Sequence, residues 1–535
     1  MASSFGAAPP DSFERQVETG FRLLSQGRVV EAARLADALI ASGTTDPQAL
    51  LLGCEVRLAQ GNPQAALHLI SRAVDVAPGQ VRLLLRKAHA LALLRRRLDA
   101  RNTAAEAVAV AGDDAQALVA AGRIYGSCDD PASARDVLLK VIEPGSSDPA
   151  LLYDLAGAQF FTGDFAAAER NLDAVLRVAP QAGHAIYLRS TLRRQTPRDN
   201  HVADLESRLR AGFADPSARA ACLYALAKEL EDLSQDDRSF AVLSQAAALK
   251  RKTLRYDVRA ECSTIDAIRS TYSTPAMHGV ERPGSEGMGE DIVFIVGMPR
   301  TGTTLVERML GRHSDVRSAG ELPDFGEHLA AAVRGALAEK PGQTPVEASL
   351  SLDFESLGHA YLETARQAAP GSRVVVDKMP INFMYCGLIR KALPAARIVH
   401  LVRDPMDSCY AIYKTMFNQA YFFSYDLDEL ATYYATYRRI MAHWHAAMPG
   451  SILDVHYEDV VTDIETQARR IIDWCGLEWQ SGVVEPSDNE APSTTASAAQ
   501  VRQAVYTTSV QKWRRHANGL EPLRMRLVDA GIVAK

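Results

Sequence analysis

A turn-forming position recurs every 34 residues along the N-terminal part of the chain, at Gly27, Gly61, Arg95, Asp129 and Gly163. A small residue follows each turn by five positions, as Ala32, Ala66, Ala100, Ala134 and Ala168, and another precedes it by seven, as Gly20, Cys54, Ala88, Gly122 and Ala156. A pair of helices joined at such a turn cannot bury its own apolar face, whereas stacked pairs bury a continuous one. The small residues let the helices of a unit approach closely, and Ile70, Leu138 and Leu172 fill the gap between them. Prolines close two units at Pro78 and Pro180. The period predicts an all-α solenoid. After Pro180 the pattern weakens, but 183 to 250 still read as helices, predicted to add one or two irregular hairpins that cap the array.

The second half changes character. Ile292-Val293-Phe294-Ile295-Val296 runs into Gly297-Met298-Pro299-Arg300-Thr301-Gly302-Thr303-Thr304, followed by Leu305, Val306, Met309 and Leu310. A short β-branched run, a glycine loop and a helical apolar spacing make a strand, a loop and a helix whose N-terminal N–H groups suit an anion. The spacing is that of a phosphate-binding P-loop up to its second glycine, but Thr303 stands where the P-loop lysine would reach the β and γ phosphates. Arg300 supplies the cation instead, which suits a smaller anion handled without a metal.

Further apolar runs end in polar residues: Arg373 to Val376 before Asp377-Lys378, and Ala396 to Val402 before Arg403-Asp404-Pro405, with a third candidate at Ser451 to Tyr457. Such runs separated by helical stretches predict a parallel sheet covered on both faces, with functional residues at the carboxyl ends of its strands. Arg300, Lys378 and Arg403 all fall there. Arg403, with Pro405 in the first helical turn and Ser408 following, can hold a second anion.

At 535 residues the chain is long enough for about two to four domains. The net charge of −6 gives no global pull toward nucleic acid or an anionic membrane, so any anion site is local. No run approaches a transmembrane length, and Met1 to Asp11 lack a basic segment followed by an apolar one. The reading is a cytoplasmic protein. Seven dispersed cysteines without a CxxC pair argue against a disulfide framework or a cysteine zinc site.

The repeat resembles the tetratricopeptide repeat (TPR), without the first-helix tryptophan of that family, and this implies a right-handed α-solenoid that binds a peptide or protein. The loop and the Arg403 motif resemble those of sulfotransferases, in wording closest to bacterial proteins that fuse TPRs to a sulfotransferase domain and to tyrosylprotein sulfotransferases. The fold class expected is an N-terminal all-α TPR solenoid at 12–250, a connecting helix and Gly-rich linker at 251–290, and a C-terminal α/β, P-loop-like sulfotransferase domain with a parallel sheet at 291–535. The resemblance implies a sulfuryl donor, 3'-phosphoadenosine-5'-phosphosulfate (PAPS), with no metal. Arg300, Thr301, Gly302, Thr303 and Thr304 would meet its 5'-phosphosulfate.

Arg403 would clamp the donor's 3'-phosphate. The family's serine eight residues on is Ala411 here, so Ser408 or Tyr410 stands in for it. Tyr457 would lie near the adenine, and Ser509 and Lys512 would close over the donor behind a polar lid arm, Pro486 to Ala499. Glu321 corresponds to the catalytic base, with Asp324, Glu327 and His313 as rivals, while His400 reads as a core residue of its strand. Lys378 would stabilise the transferring group. The acceptor would be a hydroxyl, on a peptide or protein if the repeats recruit it, and a homodimer is among the assemblies allowed. Two other readings stay open, a P-loop nucleotide kinase and a TPR scaffold with an inactive sulfotransferase-like domain.

Overall fold

The computed structural model describes residues 13–142, 147–277, 287–340, 342–417, 419–489, 491–492, 495 and 498–534. The stretch before Phe13, most of the linker expected at 278–290 and parts of the expected lid arm lie outside these residues. Two compact units form, Met1–Ser146 and Ser147–Lys535.

In the first unit the helices pair as hairpins: Phe13–Ser25 with Val29–Ala41, Pro47–Ala59 with Pro63–Val76, Val81–Leu93 with Arg97–Ala111, and Ala115–Ser127 with Pro131–Leu139. All four turn positions adopt left-handed backbone, with φ of 72° at Gly27 and Gly61, 59° at Arg95 and 55° at Asp129. The recurring position is thus a conformational requirement that arginine and aspartate also meet. Asp46, Asn62, Asp114 and Asp130 cap the helices that follow them by accepting backbone N–H bonds. Ala32, Ala66 and Ala100 are wholly buried. A Cβ at Gly122 would lie 2.7 Å from the Leu138 side chain, so the small position is set by close helix contact.

The second unit begins with the fifth hairpin, Pro149–Thr162 and Phe165–Val178, turning at Gly163 with φ 91°. Helices Gly183–Thr191, Val202–Ala211, Pro216–Asp232, Asp236–Lys252 and Val258–Thr271 follow. Leu223, Tyr224 and Leu243 share one hydrophobic core with Ile292, Phe294 and Val296. The helices expected to cap the array do pack on the fifth hairpin, and they also meet helices of the sheet-bearing part, the Tyr224 hydroxyl donating to the Tyr413 carbonyl at 3.3 Å and Arg251 pairing with Glu429.

That sheet has five strands, β1 (Ile292–Gly297), β2 (Val316–Gly320), β3 (Val374–Asp377), β4 (Arg397–Val402) and β5 (Ile452–His456), in the order β2-β3-β1-β4-β5. Every pairing is parallel. β1 is buried along its whole length, sending Ile292, Phe294 and Val296 into one core and Val293 and Ile295 into the other. β2 was not expected: Val-Arg-Ser-Ala-Gly lacks an apolar run because it is an edge strand with Arg317 and Ser318 exposed. The connection from β1 runs to β2 on one side of it and the connection from β4 runs to β5 on the other, so a crevice opens at the carboxyl ends of β1 and β4.

Among the described residues no helix is long and apolar enough to cross a membrane. All seven cysteines are free and buried.

Candidate active site

The loop after β1 feeds helix Thr303–Leu310, whose N-cap is Gly302 with φ 100° and no side-chain cap. The first N–H groups of that helix therefore face the crevice without a local acceptor side chain. Gly302 is required twice, by its left-handed backbone and by Tyr457, whose Cδ2 would lie 2.5 Å from an added Cβ. Arg300, also left-handed at φ 65°, donates from Nη2 to Gln500 Oε1 at 2.6 Å. Burial lowers its pKa from the ordinary arginine value.

Arg403, at the end of β4, ties this loop to the C-terminal segment. Its Nη1 donates to the Arg300 carbonyl at 3.0 Å and its Nη2 to the Ser509 carbonyl at 2.8 Å. Its guanidinium lies over the Tyr457 ring, 4.6 Å from the centroid, and the hydroxyls of Tyr457 and Ser509 are 2.6 Å apart. These groups line a cavity of about 290 Å³, together with Gly302, Thr303, Thr304, Glu321, Asp407, Tyr410, Ala411, Lys414 and Lys512.

Glu321 follows Gly320 directly, so the edge strand β2 is what carries it to the cavity. Behind it Lys378, wholly buried at the end of β3, donates to Glu321 Oε1 and lies 3.8 Å from Glu307 Oε2. Burial opposes the lysine's charge, but Glu307 and Glu321 hold its pKa above the ordinary value. Burial pushes Glu307 upward, and the Ser318 hydroxyl donates to it at 2.5 Å.

Residues 292–481, which hold all five strands and the glycine loop, match the model described as "Sulfotransferase family". The chain carries a sulfotransferase-family domain. It is 33% identical over 335 residues to an uncharacterized protein of Aquifex aeolicus, covering 61% of this chain and 43% of that one. It is 24% identical over 243 residues to a protein-tyrosine sulfotransferase of Drosophila melanogaster, covering 42% of this chain and 46% of that one. The chain thus spans less than half the length of these two relatives. Similar solved structures include the sulfotransferase domain of the Synechococcus PCC 7002 olefin synthase, at 20% identity and a TM-score of 0.28, covering 42% of this chain and 94% of that one. A tetratricopeptide repeat protein from Parabacteroides merdae is similar at 16% identity and a TM-score of 0.33, over 46% and 95%.

Of the expected site residues, Arg300, Gly302, Thr303, Thr304, Glu321, Arg403, Tyr457, Ser509 and Lys512 all line the one cavity. Three expected residues do not. Thr301 is buried and its hydroxyl donates to the Met298 carbonyl at 2.7 Å, closing the loop itself. Lys378 stands behind Glu321. Ser408 is wholly buried, and its hydroxyl turns back to the Arg403 carbonyl at 3.5 Å. The helical period explains this: Asp407, Tyr410, Ala411 and Lys414 recur at i, i+3, i+4 and i+7 and form the lining face, one residue out of phase with Ser408.

That same period was the signal for Lys414, which sequence reasoning missed. It missed Asp407 too, whose carboxylate accepts the backbone N–H groups of Gln511 and Trp513 at 2.5 and 3.1 Å and so anchors the segment bearing Lys512. No local signal marked Glu231. This buried carboxylate, on helix Pro216–Asp232, accepts from the Tyr410 hydroxyl at 2.5 Å and pairs with Lys414 and Lys512, each at 2.9 Å. His516 Nε2 lies 3.8 Å away. Burial works against the Glu231 charge, yet Lys414, Lys512 and these hydrogen bonds hold its pKa well below the carboxylate range. Burial, reinforced by repulsion from Lys512, brings Lys414 down to about 8.

Proposed function

We propose that the sulfotransferase domain moves a sulfuryl group from PAPS to an acceptor hydroxyl. The observation that carries this reading is the convergence of the Gly297–Thr304 loop, Arg403 and Glu321 on one cavity. The fit to the donor rests on two anion-binding features beside Tyr457: the uncapped helix start at Gly302, and Arg403 with Lys414 and Lys512. The 5'-phosphosulfate would lie against the N–H groups of Gly302, Thr303 and Thr304 with Arg300 beside it, and the 3'-phosphate would lie near Arg403.

The acceptor oxygen forms a bond to sulfur as the bond between sulfur and the bridging phosphate oxygen breaks, and adenosine 3',5'-bisphosphate leaves. The acceptor proton passes to Glu321, exposed enough at the cavity to receive it. Lys378 acts through Glu321, holding its carboxylate oriented beside the reacting groups. Arg300 and the loop N–H groups stabilise charge spreading over the sulfuryl and leaving oxygens. No step here asks for a metal. We read the acceptor as a peptide or protein, an inference supported by the protein-tyrosine sulfotransferase relatives and by helical hairpins of a kind that bind peptides.

Thermal shift separates the alternatives. Adenosine 3',5'-bisphosphate is expected to stabilise the protein more than ATP with Mg²⁺, and the effect to vanish in Arg403→Ala. Greater stabilisation by ATP with Mg²⁺ would instead select a kinase. Transfer from labelled PAPS to proteins of a source-cell extract is expected to fall by ~10²–10³ in Arg300→Ala.

A further inference from the structure

His400, His445 and Asp454 form a second cluster of chemistry-bearing side chains, and none of them lines the cavity. In the parallel register of β4 and β5, His400 lies opposite Asp454. Helix Leu427–Ala447 brings His445 to the same place near its last turn. His400 Nδ1 is 2.7 Å and His445 Nε2 is 3.0 Å from the same oxygen, Asp454 Oδ1, and the three ligand atoms lie within 4.8 Å of one another. Tetrahedral zinc, with bonds of about 2.0–2.1 Å, sets its ligands at separations of about 3.3 Å. The two His-to-Asp separations fall only a little short of that spacing.

The other nitrogen of His400 supplies an independent observation. His400 Nε2 lies 2.5 Å from the hydroxyl of the buried Tyr437, which fixes the ring with Nδ1 turned to the cluster. Histidines that bind metals have such an outer hydrogen-bond partner. The His400 side chain is 4% exposed, while those of His445 and Asp454 are 38% and 39% exposed. One rigid, buried ligand thus meets two at an opening to water, where solvent can complete the coordination. Two imidazoles and one carboxylate suit zinc better than magnesium or calcium. Arg438 bears on His400 and opposes any cation there.

We propose that His400 Nδ1, His445 Nε2 and Asp454 bind one zinc ion, which clips β4, β5 and the end of helix Leu427–Ala447 together. The site is separate from the cavity, so it stands whether or not the PAPS reading does.

The test uses the full chain, stripped with chelator and titrated with zinc chloride by calorimetry, with bound zinc counted by elemental analysis. One equivalent of zinc and a raised Tm are expected, with magnesium chloride giving neither. His445→Ala alters a partly exposed side chain, so its fold should survive by circular dichroism while the equivalent is lost. Tyr437→Phe, which keeps all three ligands, should weaken zinc about 10–100-fold. Absence of stoichiometric zinc would mean a hydrogen-bonded His-Asp-His cluster only. That result, zinc binding unchanged in His445→Ala, or equal binding of magnesium, overturns the proposal.

Discussion

The Arg403 guanidinium divides its donors between the Arg300 and Ser509 carbonyls while resting on Tyr457, and Tyr457 in turn lies against Gly302. A single methyl group tests this stack. Gly302→Ala forces a left-handed alanine and drives its Cβ into Tyr457, so it should destabilise by about 1–3 kcal/mol in urea denaturation and weaken adenosine bisphosphate binding. Lys414 carries a pH signature. With its pKa brought down to about 8 by burial and Lys512, it is charged below that pH and neutral above it. Anion affinity, followed by calorimetry, should hold below about pH 8 and fall as pH rises through it, and Lys414→Arg should remove the fall because arginine stays charged. The fall is not unfolding caused by this group. A lysine whose folded pKa lies below its ordinary 10.5 makes the folded state relatively more stable as pH rises between the two values.

Among the elements, helix Pro216–Asp232 is the one whose role the chain conceals most. Glu231 there holds Tyr410 and two cavity lysines. Replacing one partner of a buried pair leaves the other charges uncompensated, here lysines that remain about a quarter exposed. Glu231→Gln should cost about 2–3 kcal/mol, less than the full penalty for a deeply buried pair, and adding Lys414→Met should recover part of it. Parallel denaturation curves of the single and double variants check this. The contrast with what the sequence announced is physical. Gly297–Thr304, Arg403 and Glu321 are local motifs with fixed spacing, and the 34-residue period is a packing rule repeated along the chain. β2 was hidden because an edge strand needs no apolar run, and Ser408, a stand-in for the serine missing at Ala411, lies off the helix face that lines the cavity. Glu231 was hidden because its partners lie between 179 and 281 residues away in sequence.

At the scale of the whole chain, the compact unit Ser147–Lys535 includes both the sheet and the helices that share its core. A fragment spanning 147–535 should fold cooperatively and bind adenosine 3',5'-bisphosphate. One spanning 291–535 loses Leu223, Tyr224, Leu243 and Glu231 and should be insoluble or lack that binding. Soluble expression and thermal shift of the two fragments decide it. Cooperative unfolding and ligand stabilisation in 291–535 would mean that the helices before 291 are dispensable to the sheet.

The shared carboxylate of Glu231 also constrains how this chain can change over generations. Three stretches far apart in sequence meet on one acid, so a substitution at Glu231 becomes tolerable only when Lys414 or Lys512 has already been replaced, and either lysine is freed only by the converse. Relatives without an acid at the position of Glu231 should therefore lack at least one of these lysines, a covariation that would tie the inheritance of the helical segment to that of the sheet.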